Sequence, residues 1–286
     1  MRIGFIGLGN MGLPMATRLR EAGHQVVGTD LVAENRSRLE ERGGVATTSA
    51  ADVAANVDVL ILMLPSSDVV ESVLADEAVA AALRPGCLVV DMSSSEPLRT
   101  RALAERLAAE RGVDLVDAPV SGGVKGAVAG KLTIMIGGRE ELVGRLRPVL
   151  EAMGTVVHTG PVASGHALKA LNNLMSAAHL LVTSEAVLAG REFGLDPAVM
   201  LAAVNGSSGR SGSTENKWPN FILPGTYDSG FALQLMLKDM RIATALATQL
   251  GVPSRLGERA VELWALAAQE LPAGADHTEI ARWLGT

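Results

Sequence analysis

The sequence predicts an α/β protein with an N-terminal doubly wound sheet, followed by an all-α C-terminal domain joined to it by a long helix. Three observations carry this. Up to about residue 160, short runs rich in valine, isoleucine and leucine alternate with segments of helical periodicity. No convincing strand follows. From about residue 163 to 191 the chain is mostly apolar and free of proline, which reads as one continuous helix.

Strands are expected near residues 2–6, 25–30, 57–63, 86–91, 113–117, 132–137 and 155–158. Their runs are almost continuously apolar rather than alternating, as in parallel strands covered on both faces. Residues 11–22 and 96–111 carry apolar residues at helical spacing. These elements define a domain over residues 1–162 and a helical substrate and oligomerisation domain over 163–286. The connecting helix is apolar nearly all round, so it is expected to be buried on several sides, between domains or in a subunit interface. Further helices are expected over 197–204, 233–250, 254–269 and 276–284, with a mobile Gly/Ser-rich loop over 205–213.

Composition excludes several classes of function. The 286 residues hold 25 Lys and Arg against 31 Asp and Glu, a net charge of -6, which disfavours neutralising nucleic-acid phosphates. Aromatics are only 3% of the chain, so no stacking platform for bases is expected either. The single cysteine, Cys87, lies in an apolar run; it reads as a small buried hydrophobe in a reducing, cytoplasmic protein. Neither a secretory signal nor a membrane span is expected. The five histidines, at 24, 158, 166, 179 and 277, show no ligand spacing, so no metal site is expected.

Gly7-Leu8-Gly9-Asn10-Met11-Gly12 gives G-x-G-x-x-G directly after an expected strand and at the opening of an expected helix. In that context Gly7 permits the turn, Gly9 lets a pyrophosphate approach the backbone, and Gly12 lets the helix pack closely on the sheet. Phosphates then meet the N–H groups and positive dipole of a helix N-terminus, as in a Rossmann-type domain. The second strand ends in Asp30, 18 positions beyond Gly12, where a carboxylate accepts from the ribose hydroxyls. This favours NAD over NADP. Asp30 as a helix cap is the competing reading, and Arg36 sits too far along the next helix to argue the contrary. Leu64, Pro65 and Ser94 follow two further strand ends and are candidates to touch the ribose or nicotinamide; Ser94 or Ser95 also reads as an N-cap.

The opening segment from Phe5 to Leu19, FIGLGNMGLPMATRL, resembles the signature of the 3-hydroxyisobutyrate dehydrogenase family of β-hydroxyacid dehydrogenases. Asp117-Ala118-Pro119-Val120-Ser121-Gly122-Gly123 resembles that family's substrate-binding motif. Gly165-His166-Ala167-Leu168-Lys169-Ala170-Leu171-Asn172-Asn173 is similar to its catalytic G-x-x-x-K-x-x-N-N, and Lys238-Asp239-Met240 to its late K-D-hydrophobic motif. The resemblance implies catalytic roles for Lys169, Asn172 and Asn173. It also implies that Lys238 and Asp239 meet substrate, with Lys238 near the nicotinamide.

The Lys169 segment makes chemical sense by itself. On a helix, Gly165, Lys169 and either Asn172 or Asn173 share one face, and Gly165 is expected to leave room for cofactor or substrate. Among Ala167, Leu168, Leu171 and Leu174, the ammonium is expected to be partly desolvated, lowering its pKa from ~10.4 toward the range of a general acid or base. The Ser121 hydroxyl and the N–H groups of Gly122 and Gly123 form a candidate nest for a substrate carboxylate. Lys169 then exchanges the alcohol proton of a small 3-hydroxy acid resembling 3-hydroxyisobutyrate.

Reduction of tartronate semialdehyde (2-hydroxy-3-oxopropionate) or of a sulfonated semialdehyde is the alternative within the family. A non-catalytic NAD-binding module is the alternative outside it. The length argues against a 6-phosphogluconate dehydrogenase, and Lys169 against an imine reductase. Arg210 either reaches a substrate anion or is solvated; His166 adjoins the site with no assigned role. A homodimer or homotetramer is expected.

Overall fold

The computed structural model describes residues 1–285 and forms two compact units, Met1–Lys169 and a second from Ala170 onward. The sheet belongs to the first unit. Its strands are β1 (Arg2–Ile6), β2 (Gln25–Thr29), β3 (Val45–Ala46), β4 (Val59–Leu62), β5 (Leu88–Asp91), β6 (Asp114–Asp117), β7 (Val120–Ser121), β8 (Leu132–Gly137) and β9 (Gly154–Gly160). They run in the order β3-β2-β1-β4-β5-β6-β8-β7, with β9 pairing β8. From β3 to β6 every pairing is parallel, and the order reverses beside β1, which opens the crevice between the carboxyl ends of β1 and β4.

Alternation along each strand fills two separate cores. Ile3, Phe5, Val59, Ile61, Val90 and Val116 face one cluster, whereas Ile6, Leu60, Leu62, Val89 and Leu115 face the other. Both faces are thus covered, as the apolar runs require. The sheet is nevertheless mixed rather than wholly parallel. After Asp117 the chain turns back: β8 pairs antiparallel with β6 and with the two-residue β7. Neither β7 nor β3 contains enough residues to leave a periodic signal.

The covering helices are α1 (Gly12–Glu21), α2 (Ala33–Glu41), α3 (Ala50–Ala54), α4 (Ser67–Ala75), α5 (Glu77–Ala82), α6 (Pro97–Arg111), α7 (Gly123–Ala129) and α8 (Glu140–Leu150). Helix α6 starts on Pro97 and stops at Gly112 in the left-handed region, at φ 62°, the placement each residue favours. Cys87 is buried, and desolvation pushes its thiol up to about 11.

Helix α9 (Ser164–Phe193) spans 30 residues. Its start is fixed by one carboxylate at the end of β6. Asp117, wholly buried, accepts from the backbone N–H of Ala163 at 2.6 Å and of His166 at 2.7 Å. Burial pushes the Asp117 carboxyl up, while His166 and these backbone bonds act in the opposite sense. Ala163 is held at φ 77°, a left-handed conformation that a non-glycine residue adopts only when its surroundings impose it. A Cβ on Gly165 would lie 2.1 Å from the Met135 carbonyl oxygen and 2.9 Å from Asp117 Oδ2. Gly165 therefore serves close packing of α9 on the sheet, not room for a ligand.

Beyond α9 the second unit holds α10 (Pro197–Asn205), a π-helix (Ser213–Ile222), α11 (Leu233–Gln249), α12 (Arg255–Glu270), a 3₁₀ turn (His277–Glu279) and α13 (Ile280–Leu284). The core includes fully buried Trp264, Met240 and Ile280. The π-helix was not legible as a helix, because Pro219 within it lacks an N–H and breaks ordinary α-helical bonding. The Gly/Ser-rich loop before it is tied by Ser211, whose N–H donates to Thr214 Oγ1. Nor is α9 buried all round: Leu168, Leu171, Met175 and Val182 form an exposed apolar stripe. Among the described residues, no helix is long and apolar enough to cross a membrane.

Gly165→Ala should lower unfolding free energy by about 2–4 kcal/mol through overpacking against backbone. A urea midpoint within error of the unsubstituted protein would contradict this packing role.

Candidate active site

The fingerprint loop has the geometry that a bound dinucleotide needs. Gly7 sits at φ 96°, and a Cβ there would meet the Met63 carbonyl oxygen at 2.3 Å. A Cβ on Gly12 would lie 1.9 Å from the Gly7 carbonyl oxygen, whereas one on Gly9 meets nothing within 4 Å. Two glycines are thus demanded by the protein's own packing. The third faces open space, and nothing in the protein's own packing requires a bare backbone there. Asn10 and Met11 lead into α1, whose first turn already donates Leu13 N–H to the Gly9 carbonyl at 3.1 Å and Met15 N–H to that of Met11 at 3.3 Å.

Leu8 behaves differently from its neighbours. Its side chain is fully buried, and its N–H donates to Asp30 Oδ2 at 2.7 Å, so that N–H holds the loop rather than a phosphate. Asp30 Oδ1 accepts from Val32 N–H at 2.8 Å, yet α2 starts later, with Val32 as its N-cap and no side-chain cap. Asp30 is therefore a loop clasp and not the cap of α2. Each carboxylate oxygen keeps lone-pair capacity for a ribose hydroxyl. Arg36, set aside on sequence grounds, reaches back to the same strand end and donates to the Asp30 carbonyl at 2.5 Å and to that of Leu31 at 3.2 Å.

At the neighbouring strand ends, Ser93 joins two loops: its hydroxyl accepts from Leu64 N–H at 2.9 Å, and its own N–H donates to Asp91 Oδ1 at 2.9 Å. The Leu64 N–H is thereby occupied, while Pro65 is exposed and Ser94 half-buried. Ser95 donates to Asp91 Oδ2 at 2.7 Å and does not cap α6, whose N-cap is Glu96. Sequence reasoning missed Ser93, whose wholly buried side chain follows directly from β5.

Gly122 and Gly123 both take positive φ, 129° and 60°, immediately after the half-buried Ser121. Both values favour glycine, but they are not the alternating right- and left-handed pair that makes an anion nest. Lys169 stands on α9 with only 8% exposure. One turn earlier on α9 is His166, fully buried, with Nδ1 2.9 Å from Thr100 Oγ1. Its imidazole lies between two carboxylates, Nε2 3.8 Å from Asp91 Oδ2 and Nδ1 3.9 Å from Asp117 Oδ2. Asp91 thus connects His166 to the Ser93 and Leu64 loops.

In the helical unit the remaining motif residues form one chain. Asn172 Nδ2 donates to Asn173 Oδ1 at 3.1 Å, and Asn173 Nδ2 donates to Asp239 Oδ2 at 2.6 Å. Lys238 Nζ stands 3.3 Å from Asp239 Oδ1. Of the two amides at the i+3 and i+4 positions from Lys169, Asn173 is the buried one, engaged with a buried carboxylate. Arg210 is on the surface, paired through Nε with Glu215 at 2.7 Å.

Residues 2–160 match the family described as the NAD binding domain of 6-phosphogluconate dehydrogenase, and residues 163–284 match the NAD-binding domain of NADP-dependent 3-hydroxyisobutyrate dehydrogenase. The chain is 39% identical to 2-(hydroxymethyl)glutarate dehydrogenase of Eubacterium barkeri, over 92% of this chain and 88% of that one. It is 38% identical to NAD-dependent L-serine dehydrogenase of Pseudomonas aeruginosa, over 98% and 97%. The solved structure of Mycobacterium tuberculosis 3-hydroxyisobutyrate dehydrogenase with L-serine superposes with a TM-score of 0.94 at 34% identity, covering 100% of this chain and 99% of that one. Two domain matches in series, full-length relatives of one reaction type, and a loop shaped for a dinucleotide agree: the chain belongs to the 3-hydroxyisobutyrate dehydrogenase family of NAD-dependent β-hydroxyacid dehydrogenases.

Proposed function

We propose that the chain oxidises the primary alcohol of a small 3-hydroxy acid of the 3-hydroxyisobutyrate type, with Lys169 as the proton acceptor. The observation that carries this is a lysine side chain almost wholly removed from water on α9, one turn from the buried His166. A cation is rarely buried without a task. When bound, NAD supplies the acceptor for the hydride; Gly7, Gly9, Gly12 and Asp30 are the residues that hold it.

The protein's own residues do the rest. Ser121 and the N–H groups of Gly122 and Gly123 hold the substrate carboxylate, which fixes the alcohol carbon without any net positive charge. Neutral Lys169 accepts the hydroxyl proton during oxidation, and its ammonium returns a proton to the forming alkoxide in reduction. Asn173, clamped by Asp239, is the positioning amide, with Asn172 and Lys238 at either end of the same chain. L-serine and 2-(hydroxymethyl)glutarate, named in the relatives, share the hydroxymethyl group and α-carboxylate, and tartronate and sulfonated semialdehydes present a similar anionic head. A panel of these acids and aldehydes with both nicotinamide cofactors selects among them. The chain acts in the cytoplasm as a homodimer or homotetramer, and the exposed stripe Leu168, Leu171, Met175 and Val182 supports the self-association.

Lys169→Met should lower kcat by about 10²–10⁴-fold while NADH binding, followed by fluorescence, changes little; wild-type turnover in this variant would sink the assignment. Asp30→Ser should shift the NADP-to-NAD preference by about 10–100-fold toward NADP, because removing the carboxylate leaves Arg36 beside the strand end. Steady-state kinetics with both cofactors checks this, an unchanged ratio being the contrary result. Met175→Glu places a charge in the apolar stripe and should reduce the mass seen by light scattering to that of a smaller species; an unaltered oligomer would show that the stripe is not the interface.

A further inference from the structure

Arg99, on the first turn of α6, takes no part in the chemistry above, yet its guanidinium meets three carboxylates. Nε and Nη2 form a fork on Glu71, at 2.8 Å to Oε1 and 2.9 Å to Oε2. Nη2 also donates to Asp68 Oδ1 at 2.6 Å, and Nη1 donates to Glu96 Oε1 at 3.0 Å. Asp68 and Glu71 lie on α4, whereas Glu96 is the N-cap of α6 itself. A cation in the first turn of a helix opposes the macrodipole, so α6 by itself gains nothing from arginine at this place. The use of Arg99 lies in what it joins. An isolated surface ion pair contributes little, but a planar fork shared between two elements fixes their geometry as well as neutralising charge.

Those two elements carry the loops at the carboxyl ends of β4 and β5. Residues 63–66 lead from β4 into α4, and residues 92–96 lead from β5 into α6. Two other bonds tie the same pair: Leu64 N–H donates to Ser93 Oγ, and Glu96 N–H donates to Ser67 Oγ at 2.8 Å. Arg99 adds the tie made by charge. Every member of this clasp belongs to the first unit. In a doubly wound sheet a dinucleotide lies across the point where the strand order reverses, one mononucleotide on each half. The half of β1 and β2, with Asp30, takes the adenosine, so the loops after β4 and β5 wall the nicotinamide side.

We propose that Arg99 is a positioning residue for the nicotinamide half of NAD. It locks the β4 and β5 loops at one separation and acts through them, its own donors being spent on carboxylates in four hydrogen bonds. The inference rests on NAD binding by the chain and is independent of which acid is oxidised. Without the guanidinium, Asp68, Glu71 and Glu96 face one another unneutralised, and their repulsion parts the loops. Two rival roles exist for such a residue: a staple that serves stability alone, and a positive charge that attracts the phosphates from a distance.

Calorimetric binding of NADH and of ADP, which lacks the nicotinamide riboside, separates all three. Arg99→Met should weaken NADH about tenfold while ADP changes by less than about twofold, because only the nicotinamide half loses its walls. Arg99→Lys, which keeps the charge without the fork, should fall between. Glu71→Gln is the milder variant, to be used if Arg99→Met fails to fold, and should move the same NADH-to-ADP ratio by about threefold. Equal losses for both ligands would assign Arg99 to long-range attraction, and a lowered Tm with both affinities unchanged would assign it to stability; either result overturns the proposal. If the unsubstituted protein binds neither ligand, the dinucleotide site itself is refuted, an outcome distinct from both.

Discussion

The chemistry of the first unit depends on a single buried carboxylate. Asp117 ends β6 and receives two backbone N–H groups from the start of α9, so the sheet and the lysine-bearing helix are fixed to each other by charge-assisted hydrogen bonds. Removing a carboxylate from water costs several kcal/mol, and two such bonds at about 1.5–3 kcal/mol each are of the size needed to offset it. The same contact demands space. Cβ atoms on Gly137 and Gly165 would lie 2.5 Å from Asp117 Oδ1 and 2.9 Å from its Oδ2, so bare backbone surrounds the group on two sides. Ala163, held at positive φ by the same arrangement, is the strain that accompanies it. Lys169 follows His166 by three residues and inherits its place from this anchor.

The same polar core reaches the other strand ends. His166 stands within 4 Å of both Asp117 and Asp91, and Asp91 in turn holds Ser93 and Ser95. Three parallel strands and the first turn of α9 therefore share one buried polar network with no exposed member among Asp91, Ser93, Ser95, Asp117 and His166. In a network of this kind each bond supports its neighbours, and loosening one member leaves another donor or acceptor buried and unpaired. Rigidity at the lysine follows from that cooperation, not from helical propensity.

What was legible in the sequence was what backbone sterics dictate. Gly7 and Gly12 are glycines because no Cβ fits, so these fingerprint positions and the parallel strands could be read without coordinates, whereas the protein's own packing gives no reason for glycine at Gly9. What was illegible depended on long-range partners. The antiparallel turn after Asp117 hinges on the two-residue strand Val120–Ser121, too short to show a period. Gly165 lies in a motif whose glycine suggested room for a ligand, whereas its real neighbours, Met135 and Asp117, lie 30 and 48 residues earlier in the chain. Ser93 and Arg36 act through contacts with Leu64 and with the end of β2 that helix and strand patterns do not encode. Which face of α9 the single chain leaves uncovered was not legible, because an apolar composition does not distinguish burial within a chain from burial between chains.

In the helical unit the inner side of α9 supplies polar anchors at helical spacing. Asn173 meets Asp239, Ser176 meets Lys217, and Ser184 accepts from the Trp218 indole N–H at 3.2 Å. Each anchor fixes a side chain from a different element against the one helix. This matters because the chain carries a net charge of -6, so its overall field repels the small anions that its family oxidises. Attraction must therefore be short-ranged: backbone N–H groups exposed by glycines, and ammonium groups partly stripped of water, whose effect is strong within a few ångströms and screened beyond roughly 8 Å at physiological salt. An anion approaching such a protein is drawn only by donors within a few ångströms, so where its charges fall matters more than how many it carries.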